Sequence, residues 1–167
     1  MTDNRTRLAA DGSEEPMPSE TIIARLTHWF RQRPNSLEFW ELVVTDERLL
    51  WCFVGESYRS LLLRADMGER DRERIADLPP DAIAAFDDRN IVVPLESLEK
   101  LHLVTGTRLR RARLVVGWQP RDGDYEERTL SQSRTADPQR ELVTDLKSDP
   151  RLEGVDVVVE TPRFPRL

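Results

Sequence analysis

The stretch "LVVTDERLLWCFVGES" (42–57) sets two apolar runs on either side of four polar residues, Thr45-Asp46-Glu47-Arg48. β-Branched and aromatic side chains dominate both flanks, "LEFWELVVT" (37–45) and "RLLWCFVG" (48–55), which suits extended backbone. A link this short cannot carry a parallel crossover, so the two strands must pair antiparallel. A chain that begins a sheet this way is committed to a fold rich in antiparallel β-structure.

The rest of the chain reads around that hairpin. Residues 1–18 are polar and aperiodic and read as a disordered tail. Ser19 then suits an N-cap for a helix over residues 20–31, whose apolar positions Ile22, Ile23, Leu26, Trp29 and Phe30 have the spacing of one buried face; Pro34 ends it. His28 falls at the polar edge of that stripe. "SYRSLLL" (57–63) reads as a third strand. Residues 64–90 break the pattern with six successive charged residues, Glu69 to Arg74, followed by Pro79-Pro80 and "DAIAAF". They read as a helical insertion, with Pro80 near the start of its second helix. Strand signals resume at 90–95, 100–105, 107–118 and 124–131, with turns at Gly106 and at "PRDGD" (120–124). Asp137-Pro138 opens a helix to Ser148 with a stripe of Leu142, Val143 and Leu146. A short strand over 154–160 and a tail over 161–167 complete the reading, with a single domain over 19–160.

The totals exclude several classes. The 167 residues are 38% apolar and 34% charged, which is globular rather than disordered, and the net charge of −6 disfavours nucleic acid as a partner. Uncharged stretches reach only about seven residues, far from the roughly 20 of a transmembrane segment, and the first residues lack the apolar core of a secretory signal. The expectation is a cytoplasmic protein. Cys52, alone in "LLWCFV", reads as a buried structural thiol. The cations are 23 Arg against Lys100 and Lys147, a bias that coding composition explains more simply than a need for planar donors.

Seven strands followed by an amphipathic helix is the order of the pleckstrin-homology superfold, and three segments carry a resemblance to it. "LVVTDERLLW" resembles the first hairpin of bacterial and archaeal pleckstrin-homology-like (GRAM-like) domains. "NIVVPLESLEKLHL" is similar to their later strand-to-Pro step, and "DPQRELVTDL" sits where such folds plug the open end of a barrel. The resemblance spans residues 37–148. It implies a mainly β fold with α (α+β): a partly open antiparallel barrel of pleckstrin-homology type with a C-terminal capping helix, here with an N-terminal helix and a helical insertion. It further implies a binding module for phosphoinositides, peptides or proteins. Its phosphoinositide-binding members rely on a basic first hairpin loop, and the loop that occupies that place in this reading is "TDER".

No catalytic pattern emerges. His28 and His102 lack metal-ligand spacing, "DGD" (122–124) suits a hairpin turn better than a cation loop, and seven glycines form no phosphate or dinucleotide signature. No cofactor or metal is expected. His102, between Leu101 and Leu103, should face water or a polar neighbour. The one charged constellation is Arg108, Arg110, Arg111 and Arg113 on the 107–118 strand. Alternation puts Arg111 and Arg113 on the outer face. Arg108 and Arg110 fall at the open end of the apolar row of Ala112, Leu114, Val116 and Trp118. Pairing with Glu126 and Glu127 across the turn is one reading of these arginines; a candidate anion-binding patch is the other. The function expected is a non-enzymatic interaction module or scaffold for a protein partner. The alternatives are peripheral binding to anionic lipid or another anionic ligand through the arginine strand, and an enzyme of unrecognised type.

Overall fold

The computed structural model describes residues 19–58, 68–132 and 136–162. Within them the chain is mainly β, one eight-stranded mixed sheet with three α-helices, an α+β arrangement. The strands are β1 (Ile22–Gln32), β2 (Ser36–Thr45), β3 (Arg48–Tyr58), β4 (Ile91–Pro94), β5 (Leu98–Val104), β6 (Ala112–Trp118), β7 (Glu126–Gln132) and β8 (Asp156–Glu160). The helices are α1 (Glu69–Ala76), α2 (Pro80–Ala84) and α3 (Asp137–Lys147). The order across the sheet is β4-β3-β2-β1-β7-β6-β5-β8. Neighbours run antiparallel except β5 and β8, which are parallel. β4 and β8 are its outer strands, so the sheet is not closed.

The sheet nevertheless curls back on itself. In a flat sheet Trp51 of β3 and Trp118 of β6 would lie four strand spacings, about 19 Å, apart. Their ring centroids are 5.6 Å apart. The concave side holds the main core, with Trp29, Trp40, Leu42, Leu101, Leu114 and Leu130 around the two tryptophans and Val143 and Leu146 of α3 docked against them. A second cluster lies on the other side of β2 and β3, where Val43, Leu50, Cys52 and Val54 meet Ile75 of α1 and Ile83 of α2. β2 and β3 are thus buried on both faces. That is why residues 42–44 and 49–54 are continuous apolar runs instead of alternating. Burial pushes the Cys52 thiol up to about 12, consistent with a packing role.

The hairpin turn is built by Thr45, whose hydroxyl accepts from the backbone N–H of Glu47 (3.1 Å) and Arg48 (3.0 Å). Arg48 is held by Glu20 through two hydrogen bonds (2.8 and 2.9 Å) and by Asp81 (2.6 Å). Within the described part of 64–90 lie the helices α1 and α2, and Pro80 occupies the first position of α2. α1 is tied down at its C-terminal end by Arg25, which donates to the Ala76 carbonyl (3.2 Å).

The segment expected to be an N-terminal helix is the strand β1. Its pairing with β2 slips twice, between Ile22 and Ala24 and between Leu26 and Trp29, each time by one extra residue in β1. Each bulge shifts the phase of a period-two strand. The core-facing Ile23, Ala24, Leu26 and Trp29 therefore do not keep strict alternation, and their spacing imitates a helical stripe. His28 takes the positive backbone angle of the second bulge (φ 65°) and is exposed. The backbone groups freed at Thr27 find side chains. Its N–H donates to Gln139 of α3 (3.0 Å), and its carbonyl accepts from Gln132 of β7 (2.9 Å).

Other boundaries move less. Ser57 and Tyr58 extend β3, while the remainder of the expected 57–63 strand lies outside the described residues, as do the tail over 1–18 and residues 163–167. Helix α3 is capped by Ala136, one residue before the expected Asp137. No helix among the described residues is long and apolar enough to cross a membrane.

Candidate functional site

The four arginines singled out in the sequence do not share a strand. β6 begins at Ala112, so only Arg113 belongs to it; Arg108, Arg110 and Arg111 lie in the preceding loop. The cause is Thr107, whose hydroxyl accepts from the N–H of Leu109 (3.2 Å) and Arg110 (3.1 Å) and whose own N–H donates to the Arg110 carbonyl (2.8 Å). That local turn competes successfully with strand pairing. Arg108 and Arg110 are exposed rather than at the end of the core row, although Ala112, Leu114, Val116 and Trp118 are buried as expected. The expected pairing with Glu126 and Glu127 is not made. The register sets Arg113 opposite Ser131, while Glu126 and Glu127 face Trp118 and Gly117 at the far end of the hairpin. Glu127 instead accepts from Lys100 (2.8 Å), and His102 pairs with Asp156 of β8 (2.7 Å).

A different set of arginines converges where the curled sheet opens. Arg31 and Arg33 come from the end of β1 and its turn into β2, closed by an Arg33 N–H to Ser36 carbonyl bond (2.8 Å) across Pro34-Asn35. Arg89 comes from the end of the insertion. The neighbouring Asn90 fixes its place by accepting from the Phe53 N–H (2.8 Å) and donating to the Ile83 carbonyl (2.9 Å). Arg128 comes from β7, on the same inward row as Leu130 and Gln132. Together with Glu38 and Glu56 they line a cavity of about 290 Å³ floored by Trp40 and Phe53.

The charges in this mouth are unequally satisfied. Arg89 stacks on Phe53, 3.6 Å from the ring centroid, and is bound by Asp87 (3.1 and 3.3 Å). Arg31 and Arg33 share Glu38 at 3.9 and 3.6 Å, too long for hydrogen bonds. Arg128 has no carboxylate within 4 Å among the described residues; its guanidinium lies 5.8 and 5.9 Å from the Trp51 and Trp118 rings. Desolvation, followed by repulsion from Arg31, holds it below the usual arginine range. A half-buried cation with unused donors beside two others has the chemistry to accept an anionic group. A larger cavity of about 710 Å³ lies beside β4, but its arginine, Arg48, is already spent on Glu20 and Asp81. Among the described residues, no three His, Cys, Asp or Glu side chains gather as a metal site.

The arginine mouth was missed in the sequence because a helix was expected where Arg31 ends a strand. One signal did exist. The phase of Leu130 in "EERTLSQ" puts Arg128 on the apolar row.

No protein-family model matches the chain, and no curated protein matches it. Among solved structures the chain is similar to the hSac2 domain from human phosphoinositide phosphatase Sac2, at 9% identity and a TM-score of 0.52, over 89% of this chain and 81% of that one. At that identity the likeness concerns the fold.

Proposed function

We propose that the protein is a non-catalytic interaction module of pleckstrin-homology type, a partly open barrel that takes an anionic group of its partner into the arginine mouth. The observation that carries this reading is Arg128: a guanidinium drawn into the mouth of the core, over two tryptophans, without a carboxylate partner among the described residues. Cation–π contact near 6 Å offsets only part of its desolvation, about 0.5–2 kcal/mol. An anionic oxygen between Arg128, Arg31 and Arg33 would supply the missing hydrogen bonds.

The hairpin order supports the same reading. Among the described residues the "TDER" turn belongs to the second hairpin, not the first, and its one cation is neutralised. The first hairpin described is β1–β2, and it carries Arg31 and Arg33. A basic loop on that hairpin is in keeping with the proposed reading.

Tryptophan fluorescence tests the proposal, because the ligand would sit against Trp40 and beside Trp51 and Trp118. Titration with inositol hexakisphosphate, and separately with an acidic phosphate-free peptide, should give a saturable change for at least one. Arg128→Gln should weaken that binding about 10–100-fold, the equivalent of one charge-assisted hydrogen bond of about 1.5–3 kcal/mol. No saturable change with either probe, or an Arg128→Gln titration equal to the parent's, would overturn it.

A further inference from the structure

The loop between β5 and β6 is a second uncompensated basic surface, independent of the mouth. Arg108, Leu109, Arg110, Arg111 and Arg113 are all exposed, and none of these arginines has a carboxylate within 4 Å among the described residues. Arg111 rests over the Phe30 ring at 5.3 Å, anchoring the base of the loop. In a chain of net charge −6, such a run is out of keeping with its surroundings. Leu109 is the most exposed large apolar side chain described, at 86%.

The loop is built rather than slack. Thr107 consumes the N–H groups of Leu109 and Arg110. Gly106 allows the chain to close on itself, since a Cβ there would meet the Ala112 nitrogen at 2.8 Å and the Arg110 carbonyl at 3.0 Å. The result is a braced turn that holds one aliphatic side chain outward with an arginine on each side.

We propose that this loop docks on an anionic lipid bilayer, with Leu109 entering the headgroup–acyl boundary and Arg108 and Arg110 contacting lipid phosphates beside it. A bilayer presents an apolar layer directly beneath a plane of negative charge, which is the complement of a leucine between guanidinium groups. Single-stranded nucleic acid fits less well, because the loop has no aromatic ring for bases to stack on. A protein hot spot fits less well too, because one isolated leucine supplies no water-excluding apolar surround.

Vesicle sedimentation decides it. The full chain should sediment with phosphatidylcholine vesicles containing phosphatidylserine and not with phosphatidylcholine alone, and added salt should release it. Each arginine near an anionic surface contributes roughly fivefold in partitioning, so Arg108→Gln with Arg110→Gln should lower binding about 25-fold. Leu109→Ser should lower it several-fold while leaving the salt dependence in place. These exposed changes should not alter the melting temperature. Absence of sedimentation with the acidic vesicles, or binding that the loop variants leave unchanged, overturns the proposal. Loss on Arg128→Gln but not on the loop changes also overturns it, and assigns the membrane to the mouth.

Discussion

Replacing Arg72 by Met should destabilise the protein by about 3–5 kcal/mol at pH 8 and by much less at pH 5. Arg72 of α1 lies 2.7 Å from Glu41 of β2, and both side chains are almost out of solvent, at 10% and 4%. The pair is close but poorly aligned. Arg72 Nε and Glu41 Oε1 each lack a hydrogen bond of good geometry. Burial pushes the Glu41 carboxyl up to about 7, against the pull of Arg72 and Arg25; Glu69 adds to the rise, and Cys52 lies directly across the ladder. Without Arg72 the carboxylate would be buried and unpaired. At low pH it escapes by holding a proton, which is why the cost should fall there.

The same carboxyl gives the parent a pH signature. Its folded pKa, about 7, lies above its ordinary value of 4.5, so the folded state keeps a proton that the unfolded chain has released. The stabilisation is complete below pH 4.5 and is lost as the pH rises through 7, by up to about 3 kcal/mol. Glu41→Gln should remove this component. The difference in unfolding free energy between parent and variant, measured by urea denaturation, should therefore change across that window and level off above it. A constant difference, together with a pH-independent Arg72→Met, would mean that Glu41 is ionised throughout. Glu41→Leu with Arg72→Met should recover much of the loss, since apolar pairs often replace buried ion pairs at no cost.

The second large effect belongs to α3. Val143 and Leu146 are buried in the main core, Leu142 packs against its edge, and Gln139 supplies the acceptor for the bulge of β1. Leu146→Ala should cost about 2–5 kcal/mol, because removal of a buried leucine leaves a cavity where the helix meets β1 and β8. Leu146→Asp puts a charge into the same place and should abolish soluble expression. Gln139→Leu is the informative companion. It keeps the volume but strands the Thr27 N–H, so it should cost about 1–3 kcal/mol and loosen the β1 bulge, read as faster amide exchange at Thr27. Parent-like melting of Leu146→Asp would mean that the helix is not docked.

Local chemistry determined a good deal of this protein. The Thr45–Arg48 turn, the buried row Ala112, Leu114, Val116 and Trp118, the charged insertion helix and the apolar stripe of α3 all follow from patterns within about ten residues, the range over which periodicity and turn chemistry act. Tertiary structure decided what periodicity cannot carry. Two bulges made a strand look like a helix, because a one-residue insertion resets alternation and only the partner strand reveals it. A single threonine hydroxyl drew three arginines out of β6 into a loop. The arginine mouth depends on Arg31, Arg33, Arg89 and Arg128, which lie almost a hundred residues apart at the extremes. They become neighbours only because the sheet curls until Trp51 meets Trp118, and that curl is set by long-range packing, with no signature in any one segment.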